Sequence, residues 1–85
     1  MAKFIATHAV SNVAQWKSFD AERSTIFAPF ASDIVSYVDP AGSTTVALSF
    51  NLIDAEGLKA FMQTPAAIAA MERHGVLQPV TFLTA

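Results

Sequence analysis

The sequence contains no cysteine among its 85 residues, which excludes disulfide bonds, thiolate metal sites and a cysteine nucleophile. Only five residues are lysine or arginine and the formal net charge is −2, so a basic patch for nucleic acid is not expected. There is no glycine-rich nucleotide-binding loop. No apolar run approaches the ~18 residues of a membrane-spanning helix, and the first residues lack the apolar stretch of a signal peptide. We therefore expect a cytoplasmic protein that binds neither nucleic acid, membrane nor metal and uses no cofactor.

Charged residues are also scarce. They make up 14% of the chain, whereas 53% is hydrophobic; typical domains have roughly 25% and 45–50%. A chain of this length forms one domain, near the lower size for a comfortable core. We therefore expect residues 1–85 to form a single domain that buries part of its apolar surface against a second copy of itself.

Strand-like and helix-like patterns alternate along the chain. Strands are predicted over 3–10, 33–39, 44–52 and 78–84, and helices over 13–28 and from 55 to about 73 or 74. Asn12 is a good N-cap for the first helix, and Pro29 ends it. Asp54 is a good N-cap for the second helix, which restarts at Thr64-Pro65, and Gly75 ends that helix.

The resulting order is strand, helix, strand, strand, helix, strand. Each helix has one apolar side, and right-handed crossovers place both helices on one face of a four-stranded antiparallel sheet. The prediction is an α+β, ferredoxin-like fold. On the third strand, Val46, Leu48, Phe50 and Leu52 should face the helices, and the smaller residues between them should face away. The uncovered face predicts that two sheets pair into a dimeric α+β barrel.

Several segments resemble small dimeric α+β barrel proteins of the antibiotic-biosynthesis-monooxygenase-like superfamily. They are Thr7–Val10, Trp16–Asp20, Asp54–Pro65, Ala70-Met71 and His74–Val76, so the likeness spans nearly the whole chain. The resemblance implies the same barrel fold and, for its quinone-forming members, cofactor-free oxidation of an aromatic substrate. In the haem-degrading branch a histidine late in the second helical region matters, and His74 lies in roughly that place.

Two residues are candidate catalytic groups. His8 ends the first strand, where it could act as a proton acceptor or hydrogen-bond donor at a pocket, or could simply be bonded to a backbone carbonyl. Arg23 falls inside the apolar stripe of the first helix. Its stem could snorkel to the edge, or its guanidinium could enter a pocket and hold a carboxylate or phenolate. A buried arginine needs a partner, so Asp20 or a ligand should lie nearby.

Six further residues are candidates for ligand binding. They are Trp16, Phe27, Tyr37, Phe50, Phe61 and His74. Core packing is the alternative for Trp16, and a place in a dimer interface is the alternative for Tyr37. For His74 the alternatives are a haem or substrate contact and a cationic helix terminus that complements the macrodipole.

Two hypotheses follow. In the first, the protein binds a small apolar, aromatic or polyketide-like ligand and acts on it as a cofactor-independent monooxygenase or cyclase-like enzyme. In the second, it is a non-catalytic homodimeric structural or regulatory module. Cavity volume separates them. A continuous pocket on the order of 300 Å³ or more beside His8 or Arg23 favours the first, and a filled core with His8 bonded to the backbone favours the second.

Overall fold

A computed structural model of the protein describes residues 2–84. The elements are β1 Ala2–Val10, α1 Val13–Ser18, α2 Asp20–Phe27, β2 Ala31–Val38, β3 Thr45–Leu52, α3 Ala55–Phe61, α4 Pro65–Arg73 and β4 Val76–Thr84. The strands form one sheet in the order β2-β3-β1-β4, and every neighbouring pair is antiparallel. The predicted ferredoxin-like fold is therefore confirmed.

The first helical region differs from the prediction, because it is two short helices rather than one continuous helix over 13–28. The break lies at Phe19, whose backbone N–H donates to the carbonyl of Trp16 across 3.2 Å. This tight turn lets the ring of Phe19 stack on that of His74, with 4.5 Å between ring centroids. A contact with a distant part of the chain thus overrides the local helical preference.

The second helical region matches the prediction, since it stops at Phe61 and restarts at Pro65. Asp54 caps α3 by accepting a hydrogen bond from the Gly57 N–H at 2.9 Å. Thr64 caps α4 in the same way, accepting from the Ala67 N–H at 3.2 Å. Two strands are longer than predicted, since β2 and β4 each begin two residues earlier than expected.

The core lies between the helices and one face of the sheet. Its buried members are Ala6, Val10, Trp16, Ala31, Val46, Leu48 and Phe50. The alternate residues Val46, Leu48 and Phe50 of β3 face the helices, as predicted. Burying a side chain of this size contributes about 1.5–3 kcal/mol, so this layer is a principal source of stability and fixes where the helices sit.

The other face of the sheet carries large apolar side chains that are exposed to solvent. They are Ile5, Val35, Tyr37, Leu77 and Leu83. Their strand partners, such as Ser49 opposite Ile5 and Ala47 opposite Tyr37, alternate with the residues that face the helices. Within residues 2–84, no helix is long and apolar enough to cross a bilayer.

Candidate functional site

A cavity of about 100 Å³ lies between the helices and the sheet. Its wall is almost entirely apolar, and its polar side chains come from β1, α1, α2 and the end of α4. Seven of the eight predicted site residues line it: His8, Trp16, Arg23, Phe27, Phe50, Phe61 and His74. We refer to this space as the inner cavity.

Arg23 is the most heavily bonded of these residues, and only 3% of it is exposed. Its Nη2 donates to Asp20 Oδ1 at 2.7 Å and to the Trp16 carbonyl at 2.9 Å. Its Cζ lies 4.2 Å from the centroid of the Trp16 ring, a cation–π arrangement. Burial lowers the pKa of Arg23, and the hydrogen bond to Asp20 opposes that shift. The snorkelling alternative is therefore wrong, and the predicted partner Asp20 is confirmed.

The second polar residue of the inner cavity, His74, is 4% exposed. Its Nδ1 lies 3.2 Å from Arg23 Nη1. Because a guanidinium can only donate, Nδ1 must accept, and the neutral ring carries its proton on Nε2. Burial and the charge of Arg23 lower the pKa of His74. A cationic helix terminus therefore does not explain this residue.

Haem, which the resemblance connects with a histidine in this region, does not fit the inner cavity. Nδ1 of His74 accepts from Arg23, and Nε2 carries the proton of the neutral ring, so neither nitrogen offers a free lone pair to the iron. The volume of about 100 Å³ is far below the ~300 Å³ or more of pockets that hold drug-sized ligands. No group of three metal-ligating side chains lies together in the described part of the chain.

His8 reaches the inner cavity from β1 and is bonded to a backbone carbonyl, as one of its two alternatives expected; its role as a proton acceptor stays a prediction. Its Nδ1 lies 3.0 Å from the Ala9 carbonyl, which can only accept, so Nδ1 carries the proton and Nε2 has a lone pair. Nε2 makes no hydrogen bond to any residue from 2 to 84. Burial lowers the pKa of His8, and this exceeds the opposing effect of the Ala9 carbonyl. The neutral form of His8 is therefore favoured, with its Nε2 lone pair unpartnered in a largely apolar wall.

Phenylalanine rings form one end of the inner cavity. Phe27 meets Phe61 edge-on at 6.0 Å, and Phe50 stacks on Phe4 at 6.1 Å. Beyond them lies a second, more open space of about 330 Å³, which we refer to as the outer groove. Four residues line both spaces: Phe50, Leu58, Met62 and Phe82.

Tyr37 is the one predicted site residue that does not line the inner cavity. Its backbone pairs with Ala47, so its side chain lies on the sheet face opposite the helices, where its hydroxyl is 2.9 Å from Ser49 Oγ. Its position on that face agrees with the alternative of an interface residue, which stays a prediction.

Three residues of the site were not predicted from the sequence. Met62 and Phe82 line both the inner cavity and the outer groove, and the hydroxyl of Ser36 donates to Asp20 Oδ1 at 2.8 Å. Ser36 pairs with Leu48 of β3, which faces the helices, so Ser36 lies on the same face of the sheet. The alternation of β3 predicts the face of Leu48, but it cannot place Ser36 unless the register of β2 against β3 is known. No local signal marks Met62, because a methionine on the apolar side of a helix is typical of any core.

Comparison with known proteins supports the fold. No protein-family model matches the sequence, and no curated protein matches it. Among solved structures, the cofactor-independent oxygenase SnoaB from Streptomyces nogalater superposes with a TM-score of 0.70 at 16% identity, covering 99% of this chain and 91% of that one. A protein from Caulobacter crescentus CB15, provisionally assigned as an antibiotic biosynthesis monooxygenase, gives 0.68 at 12% identity, with 99% and 86% covered.

A third structure, described as an antibiotic biosynthesis monooxygenase, gives a TM-score of 0.64 at 14% identity, with 100% of this chain and 96% of that one covered. At these identities the likeness establishes the fold, and unrelated activities can share a fold. The chain therefore has the ferredoxin-like fold of the antibiotic-biosynthesis-monooxygenase-like proteins, as the sequence resemblance predicted.

Proposed function

We propose that the protein is a homodimeric small-molecule-binding protein that catalyses cofactor-independent oxygenation of an aromatic or polyketide-like ligand. The observation that carries the proposal is the state of His8. A neutral imidazole with a free Nε2 lone pair lies in an apolar wall, and its proton is held on the other nitrogen by the Ala9 carbonyl. This arrangement suits a general base.

The chemistry requires only the ligand, oxygen and this base. His8 takes a proton from a ring CH₂ that is activated through the aromatic system by a ketone across the ring, and the resulting carbanion supplies electrons to O₂. In the net reaction the CH₂ group becomes C=O, one oxygen atom of O₂ enters the product and the other leaves as water. An apolar wall that excludes water protects the carbanion from reprotonation.

The size of the site limits the ligand. The inner cavity, at about 100 Å³, holds a single small ring; an apolar cavity of ~150 Å³ in another protein binds benzene. A ligand of two or three rings must extend into the outer groove of about 330 Å³. Met62 lies in both walls, and its flexible side chain can move to join the two spaces.

Dimer formation is part of the same proposal. Five large apolar side chains lie exposed on one face of the sheet, and contiguous apolar patches of this kind mark association sites. A second copy is the partner proposed, because a paired sheet would cover the same residues on both chains. Sedimentation equilibrium at micromolar concentration should give about twice the 9.1 kDa chain mass. A stable, folded monomer would contradict this part.

The activity is tested with anthrone, a ring ketone with an activated CH₂, by following anthraquinone formation and oxygen uptake. His8→Asn is the decisive variant, because its amide can still donate to the Ala9 carbonyl while the base is lost. We expect at least a 100-fold loss of the enzyme-dependent rate, as removal of a general base costs roughly 10²–10⁴-fold. Lys17→Ala, on the exposed side of α1, is the control. Equal rates for wild type and His8→Asn would refute the role of His8.

A specific observation also favours the alternative of a non-catalytic homodimeric module. The cavity beside His8 and Arg23 is smaller than a drug-sized ligand needs, and His8 is bonded to the backbone. Native mass spectrometry of freshly purified protein, followed by a thermal-shift screen of quinols and flavonoids, separates the two functions. A dimer that retains no small molecule and is stabilised by none would support the module.

A further inference from the structure

Among the buried N–H groups of the inner cavity that have no hydrogen-bond partner within residues 2–84, two belong to side chains in direct contact. They are Nε1 of Trp16 and Nε of Arg23, and both side chains line the cavity. Trp16 is fully buried, and its nitrogen is shielded from bulk water. An unsatisfied buried donor costs about 1–3 kcal/mol, so such a pair calls for an occupant.

Both groups can only donate, since neither an indole N–H nor a guanidinium accepts a hydrogen bond. Nε2 of His74 is a third unpartnered buried nitrogen, and it carries a proton because Nδ1 accepts from Arg23. The carboxylate oxygen Oε1 of Glu22 lies 3.7 Å from it, beyond hydrogen-bonding distance. The unmet capacity of these three nitrogens is that of donors, which only an acceptor can satisfy, whereas His8 Nε2 in the same cavity offers a lone pair.

The local charges favour a neutral acceptor over an anion. Arg23 is paired with Asp20, and Glu22 is paired with Arg73. His8 and His74 both have lowered pKa values, which favours their neutral forms. An anion entering this apolar cavity would find no unbalanced positive charge to offset its desolvation.

We propose that Trp16 and Arg23 form a binding site for the carbonyl oxygen of a compact neutral ketone. Arg23 Cζ lies over the indole ring, 4.2 Å from its centroid, so the two side chains that carry these donors are in direct contact and both belong to the cavity wall. Because both nitrogens are fully buried, the site requires neighbouring side chains to move when the ketone enters. The inference deepens the proposed function, in that it assigns the polar contact of the same cavity, but it does not require oxygenation to occur.

The test uses cyclopentanone as the probe and cyclopentane as its apolar match, because both suit a cavity of about 100 Å³. Trp16 is the only tryptophan in the sequence, so a ¹H–¹⁵N spectrum contains one indole N–H signal. Cyclopentanone should move this signal downfield, whereas cyclopentane should not. The ketone should also bind about tenfold more tightly than cyclopentane, the equivalent of one or two net hydrogen bonds.

Trp16→Phe supplies a second measurement, because it removes the donor and retains an aromatic ring. If it folds, the preference for ketone over cyclopentane should fall several-fold. The wild-type spectrum alone still decides the matter if that variant does not fold. The proposed carbonyl site would be refuted if the indole signal does not shift at saturating cyclopentanone, or if cyclopentane shifts it equally. A signal that shows contact with an internal water which cyclopentanone does not displace would overturn it too.

The outcome is separable from that of the proposed function. If cyclopentanone shifts the indole signal but anthrone is not oxidised, the carbonyl site is supported and the proposed oxygenase activity is refuted. If anthrone oxidation depends on His8 but cyclopentanone does not shift the indole signal, the proposed oxygenase activity is supported and the carbonyl site is refuted.

Discussion

Nη1 of Arg23 donates a hydrogen bond to Nδ1 of His74 across 3.2 Å, linking α2 to the end of α4. The two residues are 51 positions apart in the chain, and their bond exists only while His74 is neutral. A protonated imidazole has no acceptor, and it would face the positive charge of Arg23. The polar centre of the inner cavity is thus coupled to the protonation state of one histidine.

Stability should fall as the pH is lowered through the range of histidine titration. Burial lowers the folded-state pKa of both His74 and His8 below the usual 6.5, so the unfolded chain takes up protons first. The free energy of unfolding should be constant above about pH 7.5 and decline from pH 7 to 5. Urea denaturation at several pH values measures it. His74→Asn, which retains an acceptor for Arg23 but cannot titrate, should flatten part of the slope. A wild-type stability independent of pH over this range would contradict the expectation.

Arg23→Met should lower the free energy of unfolding by about 2–3 kcal/mol, since it removes bonds to a carboxylate, a carbonyl and an imidazole. Asp20→Asn should cost less, about 1 kcal/mol, because the Asp20 side chain is 42% exposed and an amide oxygen still accepts. Urea denaturation at pH 7.5 compares the two. A larger loss for Asp20→Asn than for Arg23→Met would show that the carboxylate, rather than the buried cation, organises the site.

Gly75→Ala should destabilise the protein by about 1–2 kcal/mol, the usual cost of left-handed backbone for a residue with a side chain. Gly75 has φ +74 and ends α4, and an added Cβ would lie 2.6 Å from Ser11 Oγ. Gly42→Ala is the matched control, because Gly42 also has positive φ, at +88, but nothing lies within 4 Å of its Cβ position. Thermal unfolding should show the larger loss for Gly75→Ala. Equal losses would mean that the contact with Ser11 adds nothing.

Leu83→Glu should dissociate the proposed dimer, because it places a charge among the apolar side chains of the uncovered sheet face. Ile68→Glu is the control: Ile68 is similarly exposed but lies on α4, away from that face. Analytical ultracentrifugation should show a monomer for Leu83→Glu and a dimer for Ile68→Glu. The reverse result would place the interface on the helices.

The sequence by itself determined the features that depend on neighbouring residues. Asp54 and Thr64 are followed by N–H groups within reach of their own side chains, so the starts of α3 and α4 were predictable. The helical angle of Arg23 placed it among apolar residues, which left burial and snorkelling open and, for a buried guanidinium, predicted Asp20 or a ligand as the partner; Asp20, three residues away, is that partner. Alternation along β3 predicted which of its side chains meet the helices.

Only the tertiary structure decided the features that join distant segments. The stacking of Phe19 on His74 divides the first helix, and the acceptor role of His74 Nδ1 depends on Arg23. The face occupied by Tyr37 depends on the register of β2 against β3, which shifts between Ser32 and Val35. A shift of one residue in a strand exchanges its two faces, and no local pattern encodes that choice. Caps and periodicity arise from interactions within a few residues, whereas the site arises from contacts that form only when the whole chain packs.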